Sequence, residues 1–109
     1  MAGSPRGHGT ARRSGATIHY AISFNFVTFT FLIKLPAARV TGFTAPRGFG
    51  CGVDPDGALR CVARRALAAG HTVRGNLTTR PLLRSGRRLQ LIGFGRRGPI
   101  GPFPIRLSQ

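Results

Sequence analysis

Between Ala16 and Ile33 the chain carries no formal charge, and Ile18, Tyr20, Ile22, Phe24, Phe26, Val27, Phe29, Phe31, Leu32 and Ile33 crowd into that window. No other stretch offers comparable apolar side chains, so any core must be built on it. From Ile18 to Phe26 the large residues take alternate positions, with Thr17, His19, Ala21, Ser23 and Asn25 between them. That period of two predicts a strand with one buried face. After Phe26 the phase flips to Val27, Phe29, Phe31 and Ile33, which predicts a bulge or tight bend in a strand or hairpin over 16–35. The window is also about as long as the 20 or so residues a membrane helix needs. Its polar interruptions and its β-branched and aromatic bias argue for a strand instead. With Arg6, Arg12 and Arg13 before it and Leu35-Pro36-Ala37-Ala38 after it, the same stretch also reads as a signal or anchor segment.

The second constraint lies between Asp54 and Gly70. Asp54 suits a helix cap, Pro55 a first turn, Asp56 the positive end of a helix dipole, and Gly70 a left-handed stop. Leu59, Val62, Ala63, Ala66 and Leu67 follow helical spacing and leave Arg60 and Arg64 on another face, so one amphipathic helix is expected over 55–69.

Elsewhere the elements are short. Strands are expected around Arg39 to Phe43, His71 to Arg74 and Leu89 to Phe94, with Pro36, Pro46, Pro81 and Ser85-Gly86 as breakers. Residues 1–15 read as a flexible basic arm, 16–94 as a small α+β unit, and 95–109 as an extended Gly/Pro/Arg tail. The expected fold class is therefore a small single α+β unit with disordered basic ends. At 109 residues there is room for one domain only.

Charge bears on partners. Seventeen basic residues face two acidic ones, a formal net charge of +15. Such a surface attracts polyanions. Every basic residue except Lys34 is arginine, and the forked guanidinium suits phosphate better than an ammonium does. Arg80, Arg84, Arg87 and Arg88 form the densest cluster. Arg60 and Arg64 on the expected helix, and Arg96 and Arg97 in the tail, complete the candidate phosphate-binding set. Phe94 and Phe103, interleaved with arginines, are candidates for stacking on bases.

Other motifs fail on spacing. Gly48, Gly50 and Gly52 lack a third glycine at the dinucleotide-binding interval, and Asp54 and Asp56 would repel a phosphate. The run Arg65-Ala66-Leu67-Ala68-Ala69-Gly70-His71-Thr72-Val73-Arg74 resembles the helix-to-strand turn of Rossmann-type domains, over ten generic residues. Cys51, Cys61 and His71 lack the close pairs and fourth ligand of a structural zinc site. The two cysteines are candidates for one disulfide. Asp54 and Asp56 are the only carboxylate side chains, and no serine, cysteine or lysine lies in a nucleophile motif, so neither enzyme activity nor a cofactor is expected.

The expected function is that of a basic accessory protein associating with RNA or DNA through arginine–phosphate contacts, without base specificity, in a nucleic-acid-containing compartment. A membrane-associated or exported cationic protein, using 16–35 as signal or anchor against an anionic membrane surface, is the alternative. A composition rich in Gly, Ala, Arg and Pro also admits an unselected frame read through GC-rich DNA.

Overall fold

A computed structural model describes residues 4–109, and every regular element in it is a β-strand. In chain order these are β1 (Gly7–Ser14), β2 (Thr17–Phe24), β3 (Thr28–Lys34), β4 (Arg39–Thr44), β5 (Phe49–Val53), β6 (Leu59–Leu67), β7 (Val73–Arg80), β8 (Arg88–Gly95) and β9 (Gly98–Ser108). They form one sheet in the order β4-β7-β2-β1-β9-β8-β3-β6-β5. All pairings are antiparallel except β1 with β9, where Ala11 lies opposite Leu107 and Arg12 opposite Ser108. That short parallel seam joins two halves, and the sheet curls into a nearly closed barrel. Its free edges, β4 and β5, approach through the Gly57 carbonyl, which accepts a 2.8 Å hydrogen bond from Val40 N–H.

The α+β expectation is overturned. The apolar window makes two strands that do not pair with each other, so it is neither one bent strand nor a hairpin. β2 lies between β1 and β7, and β3 between β6 and β8. The phase flip at Phe26 marks the crossing from one half to the other. Ile18, Tyr20, Ile22 and Phe24 face inward from β2, and Phe31 and Ile33 meet them from β3. The crossing loop is held by Asn25, whose N–H donates to Arg6 O at 2.9 Å while its side-chain oxygen accepts from Arg6 N–H at 2.6 Å.

No helix occupies 55–69. Asp54-Pro55-Asp56-Gly57 is the turn of the β5–β6 hairpin, closed by Gly57 N–H donating to Asp54 O at 2.8 Å, with Gly57 at φ +89°. Proline early and glycine late in four residues serve a reverse turn as well as a helix start. Beyond it, Leu59 and Cys61 are buried while Arg60 and Val62 are exposed, a strand's alternation. Gly70, expected as a helix stop, lies in the β6–β7 turn, where His71 N–H donates to Ala68 O at 3.2 Å. The Arg65–Arg74 run is likewise strand, turn and strand.

The disordered basic ends are corrected as well. Residues 7–14 are β1, whose Ala11 is 1% exposed, and 98–108 are β9, whose Ile105 and Leu107 are 2% and 1% exposed. Of the arm read over 1–15, residues 1–3 lie outside the described residues. The tail's composition misled because period-two burial at Phe103, Ile105 and Leu107 is diluted by three prolines. The strands expected at 39–43 and 89–94 are present as β4 and β8.

Candidate functional site

Successive strands alternate in direction, so the turns gather at two ends of the sheet. One end, here the acidic end, holds the β1–β2, β3–β4, β5–β6 and β7–β8 connections and therefore both aspartates. There Lys34 Nζ lies 4.0 Å from Asp56 Oδ2, the one side-chain ion pair among the described residues. The other end, the basic end, holds the β2–β3, β4–β5, β6–β7 and β8–β9 connections.

The arginine set expected from sequence is divided between these ends. Arg80, Arg84, Arg87 and Arg88 stand at the acidic end, in and around the β7–β8 turn, where Arg88 lies opposite Arg106. Arg60 projects from β6 opposite Gly52. Arg96 and Arg97 form the β8–β9 turn at the basic end, and Arg64 lies near that end on β6. All eight are exposed, yet they are not one surface. Phe103 packs against the core, and Phe94 is half-buried on β8 opposite Thr30 and Pro99.

What the fold brings together centres on a residue that sequence reasoning passed over. Arg47, in the β4–β5 loop, lines three adjoining grooves. The first, about 510 Å³, runs over the outer face of β1, β2 and β7 and is walled by Arg12, His19, Arg74 and Asn76 with Thr10 and Thr44. The second, about 550 Å³, lies beyond Arg47 against Arg64, Arg65 and His71. A third of about 230 Å³ shares Arg47, Arg74 and His71 and connects them. No carboxylate side chain lines any of the three.

Local structure accounts for each placement. Arg12, His19, Asn76 and Thr44 are partners in register across β1, β2, β7 and β4, so they form one outward row of about 14 Å at the usual strand spacing. Arg74 is two residues from Asn76 on the same face. Across the grooves, β6 bulges: Thr28 pairs with Leu67 and Thr30 with Val62, which leaves extra residues on β6 and turns both Arg64 and Arg65 to solvent. Arg64 N–H donates to Gly48 O at 2.9 Å, fixing the bulge beside Arg47.

None of the guanidinium groups of Arg12, Arg47, Arg64, Arg65 or Arg74 hydrogen-bonds another described residue. Arg13, by contrast, donates to Leu83 O at 2.7 Å. His19 Nδ1 and Asn76 Oδ1 are 2.8 Å apart; facing an amide oxygen, the imidazole nitrogen is the donor. Under this floor Tyr20 lies inward opposite Gly75, where a β-carbon would collide with its ring. The Tyr20 hydroxyl is buried without a partner, and burial pushes its pKa far up.

Other chemistry finds less support. Cys51 and Cys61, opposite each other on β5 and β6, are joined in a disulfide. Among the described residues no three His, Cys, Asp or Glu side chains gather as a metal site requires. Ser23 Oγ and His8 Nε2 are 3.0 Å apart, but they are cross-strand partners on β1 and β2, Ser23 is buried, and neither lines the Arg47 grooves. Gly48, Gly50 and Gly52 belong to the β4–β5 loop and β5, with no helix after them. No helix among the described residues is long and apolar enough to cross a membrane. Compared with known proteins, the chain matches no family model and no curated protein.

Proposed function

We propose that this is a nucleic-acid-associated accessory protein that binds RNA or DNA through phosphate, without reading bases. The observation that carries the reading is the run of acid-free grooves around Arg47, in which five arginines present guanidinium forks that no protein group occupies. Fork geometry suits phosphate oxygens, and each phosphate neutralised releases condensed counterions. The outward row over the grooves holds arginine, histidine, asparagine and threonine but no phenylalanine, tyrosine or tryptophan, which supports contact with backbone rather than bases. The test is binding to single strands of different sequence at stepped salt. Four neutralised phosphates on a single strand predict a loss of about fiftyfold in affinity from about 50 to about 200 mM salt, equal across sequences. A flat salt response, or a strong sequence preference, refutes the reading.

One observation favours a second reading, that of an exported or membrane-surface cationic protein: the Cys51–Cys61 disulfide, since such bonds persist in oxidising compartments. Trapping thiols on lysis separates the two. Free Cys51 and Cys61 in protein from intact cells, with release from a pellet by nuclease, supports nucleic-acid association; an oxidised pair, with release from anionic vesicles by salt, supports the second.

A further inference from the structure

We propose that the grooves around Arg47 are a discrete phosphoryl-binding seat, in which Arg74 and Arg12 hold one anionic group, Arg47 bridges, and Arg64 and Arg65 hold the next along a polyphosphate or nucleic-acid backbone. The inference rests on the polyanion reading above and adds a place and a geometry to it. A diffuse cationic surface would bind in proportion to charge wherever charge lies. The acidic end is as rich in arginine as the basic end, but its cations share their space with Asp54 and Asp56, and Arg13 spends a donor on Leu83 O. Around Arg47 the donors converge on concave space and have no protein acceptor.

The seat is also built, in that its side chains are placed by backbone. Strand register sets Arg12 in line with His19 and Asn76 and leaves Arg74 two residues from Asn76 on the same face of β7, and His19 and Asn76 fix each other at 2.8 Å. The β6 bulge sets Arg64 and Arg65 across from Arg47 through the 2.9 Å bond to Gly48 O. Thr10 and Thr44 add neutral hydroxyl donors to the walls. Charged forks with neutral donors in a fixed cleft are the means by which a phosphoryl group is held bidentately. Because Arg47 is common to all three grooves, a chain of phosphoryl groups can pass from one to the next without leaving the arginines.

The experiment measures the affinity of the full chain for inorganic tripolyphosphate and for a short single-stranded oligonucleotide at low salt, with competition between them. Four proteins are compared: wild type, Arg47→Ala/Arg74→Ala, Arg47→Lys/Arg74→Lys, and Arg84→Ala/Arg87→Ala, which removes the same charge from the acidic end. Tripolyphosphate is expected to displace the oligonucleotide. The groove alanine pair is expected to lose about a hundredfold for both ligands, and the lysine pair about tenfold with its charge kept. The comparator is expected to lose about threefold or less. A comparator as damaged as the groove pair, or a lysine pair as tight as wild type, overturns the seat and leaves the general reading standing. Tripolyphosphate binding without oligonucleotide binding upholds the seat and overturns nucleic acid as its source. Wild type that binds neither ligand overturns both.

Discussion

At the end of the sheet where β5 turns into β6, Asp54 and Asp56 stand among Lys34, Arg39 and the Arg84–Arg88 turn, and the Val40–Gly57 hydrogen bond draws the two free edges together. Toward the opposite end Arg47, Arg64, Arg65 and Arg74, joined by Arg12 from the outer face of β1, border open grooves with no carboxylate side chain, over a tyrosine hydroxyl left without a partner. The chain places its only internal counter-charge where the barrel closes. Elsewhere the like charge has no internal counter-charge, and under the proposed function a bound polyanion would relieve it. If this contrast is sound, perturbing the acidic end changes stability and leaves polyanion affinity alone, whereas perturbing the basic end moves both.

The largest effect is expected from the hairpin that carries the two aspartates. Its disulfide closes a loop of about ten residues, which predicts a loss of about 3 kcal/mol in Cys51→Ser/Cys61→Ser by denaturant unfolding. Tripolyphosphate affinity should be unchanged. A fall in affinity there would show that the grooves depend on the hairpin, breaking the separation of the two ends.

Next is the turn itself. Alanine at Gly57 must hold φ near +89° and brings its β-carbon to 2.5 Å from that of Arg39. Left-handed strain and overpacking together predict a loss of about 2 kcal/mol. Because Arg39 leads into β4, the damage should appear as faster hydrogen exchange at Val40 than at Val73, and as no change in ligand affinity.

These two sites also show what could be read from the sequence and what could not. The apolar window and its phase flip at Phe26 were legible, because period-two burial is written into alternate residues whatever the topology. Which strands pair was not, since β2 and β3 take partners from as far away as β7 and β8. The Asp54-Pro55-Asp56-Gly57 segment read as a helix start because a reverse turn uses the same residue types; the alternation of Leu59, Arg60, Cys61 and Val62 just beyond was the signal that favoured a strand. Of the site, the excess of arginine was plain, but Arg12, Arg47 and Arg74 are far apart in the chain: the register of β1, β2 and β7 sets Arg12 and Arg74 on one face, and the pairing of β4 with β7 brings the Arg47 loop beside them. Arg65 was hidden for another reason: only the β6 bulge makes two consecutive arginines face the same groove.

A smaller effect of opposite sign is expected beneath the grooves. Tyr20 is 3% exposed, and its hydroxyl has no hydrogen-bond partner. Tyr20→Phe removes an unsatisfied polar group while keeping the ring against Gly75 and Phe31, so a gain of about 1 kcal/mol is expected. The pH dependence follows from the raised pKa. Below the ordinary tyrosine value of about 10 the phenol is neutral in folded and unfolded chains alike. As pH rises past it, the unfolded chain ionises first, so stability falls. Tyr20 is the sole tyrosine, so the phenylalanine variant should lack that part of the alkaline decline. Equal stability of the two proteins at neutral pH would mean that the hydroxyl finds a partner, and that the basic end is not the less satisfied of the two.

The smallest effect bears most directly on the contrast. Arg65→Glu places the first carboxylate side chain at the groove borders, beside Arg64 and facing Arg47. Exposed pairs are weak, so the expected gain is about 0.5 kcal/mol at low salt, vanishing near 1 M salt, where screening reaches only about 3 Å. Arg60→Glu makes the same change of charge on the same strand, but close to Asp54 and Asp56, where negative charge is already supplied. It should give no gain. The difference between these two variants, measured by denaturant midpoint at low and high salt, cancels what they share in net charge and in strand propensity. A difference that persists in high salt would be packing; one that disappears is the uncompensated field of the basic end. In the latter case Arg65→Glu should also weaken tripolyphosphate binding more than Arg60→Glu, because the charge that destabilises the empty grooves is the charge that fills them.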